Sequence, residues 1–168
     1  VAEAGDFALF HPEKRELAPE IALMDLNGFE RTLSEFHGDV VLLHFWATWC
    51  RPCEKEFPMI MQLGKMFEGS GLSIVTVAAD SRKRVRPYAK KHHLNMDILI
   101  DQYGTAIRAY DVSLFPVSFI IDREGRIDAI AIGPRDYTSR EAFEYFEGLL
   151  LEGHAKGHAG DKGKGLGR

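Results

Sequence analysis

Two thiols stand three positions apart, Cys50 and Cys53, and they are the only cysteines in the chain. They lie in the stretch LLHFWATWCRPCEKEFP, Leu42 to Pro58. A Cys-x-x-Cys pair that opens a helix suits disulfide exchange. The thiolate is the nucleophile, and the unpaired amides and dipole of a helix N-terminus stabilise that anion. Cys50 is then the exposed nucleophile, and Cys53, one turn on and more buried, resolves the mixed disulfide. Arg51 adds positive charge beside the nucleophile, while Pro52 fixes φ in the first turn. The same pair is half of a zinc site. Zinc normally takes four ligands, however, and no second Cys pair or matched His pair occurs at suitable spacing. Redox chemistry is the expectation, with no metal and no cofactor beyond a Cys50–Cys53 disulfide.

The elements that must hold this pair can be read around it. Val40 to Trp46 is a continuous apolar run, the pattern of a strand covered on both faces. Phe57, Ile60, Met61 and Gly64 then recur at helical spacing and predict a helix from Cys50 to Phe67, with Pro58 inside it. Ser73 to Ala79 is a second buried strand, so strand, helix and strand form a parallel pair joined by a right-handed crossover. A basic helix, Arg82 to His93, follows, then a strand, Asp97 to Ile100, and a short helix, Thr105 to Tyr110. Val117 to Ile121 and Ile127 to Ile132 form an antiparallel hairpin, and Ser139 to Leu151 is a final amphipathic helix. Upstream, Asn27-Gly28 between two short segments predicts a tight β-hairpin over Ile21 to Leu33. The sum is one α/β domain with a mixed central sheet flanked by helices. It spans residues 18–151, after an extension of residues 1–17. Residues 152–168 are Gly, Lys and His with almost no apolar content, and a disordered tail is expected there.

Several segments in the same order resemble the thioredoxin-fold oxidoreductases of the TlpA/ResA type. FWATWCRPCEKEFP is similar to their active-site segment. APEIALMDLNGFERTLSEFHGDVVLLHFWATWC is similar to their N-terminal hairpin and first core strand. KKHHLNMDILIDQYGTAIRAYDV resembles their central strand-helix insertion, and LFPVSFIIDREGRI their cis-proline strand and hairpin. The resemblance implies a thioredoxin-like fold from about Ala18 to Leu151. It implies that Pro116 is the cis-proline facing the disulfide and that its neighbouring backbone pairs with substrate peptide. Trp49 is implied to shield the disulfide and form substrate surface, whereas Trp46 suits core packing. Glu56 matches a glutamate that ResA-type proteins place near the cysteines, where a carboxylate raises thiolate pKa. Glu54 is the better fit to a solvated first-turn residue.

The sequence departs from the family at three places. His44, six residues before Cys50, stands where thioredoxins often carry aspartate and the TlpA/ResA branch commonly asparagine. Strand alternation places it with Val40, Leu42 and Trp46, within reach of Cys53. Two roles fit it: accepting or relaying the proton of Cys53, or filling the core as a neutral histidine with one hydrogen bond. Phe115 is bulkier than the family's usual residue before the proline. It narrows the peptide groove or contacts a partner, or else it packs on Trp49. His93 replaces a helix-end glycine.

The bulk numbers frame the partners. A net charge of -4 in 168 residues, with 45% hydrophobic and 27% charged content, describes a globular chain with no general case for nucleic acid. The run Val40 to Ala47 is too short to span a bilayer. The chain begins at Val1, as a processed N-terminus would, and an export signal or membrane anchor can have preceded it. The basic run SRKRVRPYAKKHH reads as a solvated helix face, and His154 and His158 as parts of a flexible extension rather than metal ligands. The resemblance implies an extracytoplasmic, monomeric reductant of protein substrates with thiols or disulfides. Apocytochrome c is the leading candidate substrate, in cytochrome c maturation, and an upstream thiol–disulfide donor supplies electrons. A thioredoxin-fold peroxidase and a copper carrier using both thiolates are the alternatives.

Overall fold

The computed structural model describes the backbone of residues 7–159 and the side chains of residues 7–153. Expectations for residues 1–6 and 160–168, and for the side chains of His154 and His158, lie outside these. The chain opens with a short hairpin, β1 (Ala22–Met24) and β2 (Glu30–Thr32), followed by a 3-10 turn at Leu33–Phe36. Its connection is longer than the tight Asn-Gly turn that the sequence suggests. Asp25 N donates to Phe29 O at 2.8 Å and Gly28 N to Asp25 O at 3.1 Å, leaving Leu26 to Gly28 as the loop. The cause is the Asp25 side chain. Its Oδ1 accepts from the amides of Asn27 and Phe29, at 2.8 and 3.0 Å, and only Gly28 of the loop takes a left-handed φ, 84°.

β3 (Val40–Trp46) is buried along its whole length, as its unbroken apolar run demands. α1 (Arg51–Met66) leads to β4 (Leu72–Ala78), which pairs parallel with β3. α2 (Arg82–Lys91), β5 (Asp97–Ile100) and α3 (Thr105–Ala109) come next, and β5 pairs parallel with β4. β6 (Val117–Ile121) lies antiparallel to β3 on its other side, and β7 (Ile127–Ile132) antiparallel to β6. The resulting five-stranded mixed sheet has the order β5-β4-β3-β6-β7. α4 (Arg140–Ala159) ends the described chain. Between α2 and β5, His93 takes the left-handed φ of 52° that a glycine would adopt more cheaply.

Alternate residues of β3 serve two cores. Val40 and Leu42 pack with Ile60 and Leu63 of α1 and Phe146 of α4. Val41, Leu43 and Phe45 pack on the opposite face with Ile21, Phe119 and Tyr110. α1 buries Cys53, Glu56, Phe57, Ile60 and Leu63, a stripe at helical spacing that includes one carboxylate. Pro58 sits within α1 without ending it.

Two expected boundaries move. Part of the N-terminal extension joins the domain: Phe7 is buried against Tyr137 and Phe146, and Phe10 and Leu17 bridge to Ile130 and Arg126 along β7. At the other end, α4 continues past Leu151 to Ala159, so residues 152–159 are helix rather than disordered tail. Adding a residue to a formed helix costs far less than nucleating one.

Candidate active site

Cys50 is the N-cap of α1, and its Sγ accepts the amide of Cys53 at 3.3 Å. The two form a disulfide with Cα atoms 5.3 Å apart. Pro52 occupies the first turn, where its missing N–H deprives the helix of nothing. Arg51 and Pro52 are both exposed. Cys53 is sealed from solvent and Cys50 keeps only 5% exposure, so Cys50, expected to be exposed, is buried in this oxidised form. Around them pack Trp46, Ala47, Phe57, Ala78 and Val85, with Leu26 of the hairpin loop and Phe115 at the edge.

The Phe115–Pro116 bond is cis. Phe115 contributes an edge to the disulfide cluster and meets Trp49 with ring centroids 5.7 Å apart at 69°. Trp49 is 69% exposed and stands as an aromatic plate beside the disulfide; Trp46 is wholly buried edge-on to Phe57. The loop carrying Trp49 is tied down by Thr48, whose hydroxyl donates to Asp80 Oδ2 at 2.5 Å. Asp80 Oδ1 accepts the amide of Ser81, the N-cap of α2.

Below the disulfide the α1-facing side of β3 turns polar. Ser118 is directly opposite His44 in the β3–β6 ladder, and its Oγ lies 2.6 Å from His44 Nδ1. Tyr137, from the segment between β7 and α4, donates its hydroxyl to the same Oγ at 2.8 Å. His44 Nε2 faces Glu56 Oε1 at 3.8 Å, and Glu56 Oε2 accepts the amide of Arg135 at 2.9 Å. All four side chains are buried. Burial pushes the Glu56 carboxyl up to about 8, opposed by the Arg135 amide and charge, and pushes His44 down to about 3. Burial, with Glu56 nearby, also holds the Tyr137 phenol well above its ordinary value.

A disulfide at a helix N-terminus, a cis-proline strand beside it and a buried carboxyl on the same helix face can exchange disulfides and hold a proton. Residues 15–130 match the AhpC/TSA family. The chain belongs to that family. Within it this is a thiol-disulfide oxidoreductase of the ResA/DsbE type, with a thioredoxin-like fold. Thiol-disulfide oxidoreductase ResA of Geobacillus thermodenitrificans is 34% identical over 133 residues, 76% of this chain and 76% of its own length. ResA of Bacillus subtilis is 38% identical over 117 residues, 69% of this chain and 65% of its own. Among solved structures, a Chlorobium tepidum protein assigned as thiol:disulfide interchange protein DsbE superposes with a TM-score of 0.73 at 30% identity. That match covers 84% of this chain and 97% of the other.

This ResA-type chain brings Trp49, Cys50, Cys53, Phe115 and Pro116 together at one end of the sheet. Glu54 is the exposed first-turn carboxylate, and Glu56 turns inward. His44 lies on the expected face of β3, but the polar partners it meets are Ser118 and Glu56. Sequence reasoning missed Ser118, Tyr137, Asp80 and the Arg135 amide. Ser118 carried a signal, since it is the one polar residue in the strand VSFII. Tyr137 carried none, because no periodic pattern covers its segment. Among the described residues no group of three or more His, Cys, Asp or Glu side chains could hold a metal ion, and no helix is long and apolar enough to cross a membrane.

Proposed function

We propose that this oxidoreductase is a reductant of protein disulfides in the cell envelope, with Cys50 as nucleophile and Cys53 as resolving thiol. The observation that carries the proposal is the placement of Cys50 at the α1 N-cap, with Cys53 one turn deeper and fully buried. In the reduced protein the Cys50 thiolate attacks one sulfur of a substrate disulfide. That S–S bond breaks, a mixed disulfide forms, and the substrate's other sulfur leaves as a thiolate that takes a proton. Cys53 then loses its proton and attacks Cys50 Sγ, releasing the second substrate thiol. Two electrons pass to the substrate and the Cys50–Cys53 disulfide closes. Glu56, buried on the α1 face that carries Cys53, is the acceptor for the Cys53 proton. Trp49, Arg51, Pro52, Phe115 and Pro116 form the surface that receives the substrate chain, with the backbone around Pro116 pairing to it.

The disulfide of oxidised apocytochrome c is the proposed client, in cytochrome c maturation, with an upstream thiol–disulfide donor restoring the dithiol to a monomeric protein. A segment before Val1 would supply export or anchoring. The likeness to ResA proteins supports this reading, because those relatives are thiol-disulfide oxidoreductases and the site's chemistry allows that activity.

Equilibration of the Cys50–Cys53 pair against glutathione tests the direction of flow. A potential near about -270 mV, thioredoxin's range, supports the reductant; one near about -120 mV, the range of the oxidant DsbA, sinks it. In the same experiment Cys53→Ser should accumulate a mixed disulfide with a protein substrate, and Cys50→Ser should form none.

A further inference from the structure

The Ser118 hydroxyl lies between His44 and Tyr137 and bears on which imidazole nitrogen carries the proton. Tyr137 donates to Ser118 Oγ, and a serine hydroxyl has a single hydrogen to give. Given to His44 Nδ1, 2.6 Å away, that hydrogen makes Nδ1 the acceptor and leaves the ring proton on Nε2, the tautomer that also has a hydrogen to offer Glu56. Nε2 has no hydrogen-bonding partner among the described residues, and neither does Glu56 Oε1. The two atoms face each other at 3.8 Å, so a shift of less than about 1 Å brings them into hydrogen-bonding range. The other Glu56 oxygen is already taken by the Arg135 amide.

We infer that His44 is a positioning residue: Tyr137 and Ser118 hold it as the Nε2–H tautomer, which donates to Glu56 Oε1 and sets the pH at which Glu56 accepts a proton. The inference rests on the reading of Glu56 as acceptor for Cys53. In that step the Cys53 S–H proton moves to the Glu56 carboxylate, leaving a thiolate and a neutral carboxyl, with no change in electron count. Donation from a neutral imidazole favours the carboxylate and opposes the burial that drives Glu56 toward its acid form. His44 does not do this as a cation, because burial keeps it neutral down to about pH 3.

The titratable and charged groups around Glu56 are His44 from β3, Cys53 from α1 itself, and Tyr137 and Arg135 from the segment after β7. Arg135 favours the carboxylate through its amide and its charge, although its guanidinium is turned to the carbonyls of Ala8 and Pro134. Among the described residues, His44 is the side chain placed to give Oε1 a hydrogen bond.

The test follows the Glu56 carboxyl carbon by ¹³C NMR against pH in the oxidised protein, where neither cysteine titrates, with the signal assigned by Glu56→Gln. His44→Leu should raise the Glu56 midpoint by about one to two pH units. His44→Gln keeps an N–H donor and should restore most of the shift. Ser118→Ala keeps the imidazole but frees its tautomer, and should raise the midpoint by a smaller amount; it carries the test if His44→Leu does not fold. An unchanged midpoint in Ser118→Ala and in any folded His44→Leu overturns the inference. Equal shifts in His44→Leu and His44→Gln also overturn it, since a packing role alone would give that result. Failure of the underlying reading is separate: Glu56→Gln would then leave the rate and pH profile of mixed-disulfide resolution unchanged, whatever the carbon signal does in the His44 variants.

Discussion

Glu56 Oε1 and His44 Nε2 lie 3.8 Å apart, on side chains that are 1% and 0% exposed. Both groups are driven toward neutrality, and the consequences for stability have opposite signs. Glu56, raised from 4.5 to about 8, holds a proton in the folded state that the unfolded chain has lost, so stability falls as pH rises through that window. His44, lowered from 6.5 to about 3, refuses a proton that the unfolded chain accepts, so stability falls as pH drops through that window. Between about pH 4.5 and 6.5 the two slopes cancel, leaving a plateau. Glu56→Gln should remove the alkaline fall. Urea unfolding of the oxidised protein should show a gain over the parent that grows from pH 5 to pH 8, on the order of 2–4 kcal/mol.

The same carboxyl should appear in the thiol titration of the reduced protein. Below about pH 8 it is neutral and repels nothing; above that it opposes formation of the thiolates. The parent should therefore titrate in coupled macroscopic steps. Glu56→Gln should bring forward the part of the thiol titration that the charged carboxylate delays above about pH 8, read from iodoacetamide reactivity against pH. No shift would mean that Glu56 and the sulfurs are electrically independent.

Trp49 is 69% exposed and meets Phe115 edge-on, so its removal should cost little stability, within about 1 kcal/mol. Its value should lie in holding a polypeptide. Trp49→Ala should raise KM for a protein disulfide about tenfold while leaving turnover of a small aliphatic disulfide nearly unchanged. A parallel loss with both substrates would instead point to damage at the sulfurs.

Asp80 joins the Trp49 loop to the start of α2 through Thr48 and Ser81. Asp80→Ala should lower stability by about 1–2 kcal/mol and Asp80→Asn by less, measured by denaturant unfolding. The fluorescence of Trp49 should also change its response to reduction, because the loop bearing the indole loses its anchor.

Most of the frame was readable because each core element carries its own period. Val40 to Trp46 declared a strand buried on both faces, and the stripe Phe57, Ile60, Met61 and Gly64 declared a helix. The same stripe extended back one turn passes through Cys53 and Glu56, so the inward turn of that carboxylate was present in the spacing. The partners of His44 were not legible. They depend on the register that sets Ser118 opposite it and on a loop that carries Tyr137 in from beyond β7. Register between strands more than 70 residues apart is a property of the assembled sheet, and no local pattern encodes it. The hairpin turn misled for a local reason: Asn27-Gly28 carries a strong turn signal, but the carboxylate of Asp25 captured the Asn27 and Phe29 amides first.

Both margins of the central sheet carry guards. Phe10 and Leu17 pair onto β7, and Asp25 of the hairpin pairs onto β5 through Leu99. An oxidoreductase meets clients whose own backbone is partly unfolded and ready to add as an extra strand wherever a sheet lies bare. The short hairpin and the N-terminal arm thus lie like fenders along edges that would otherwise offer a passing chain a place to pair.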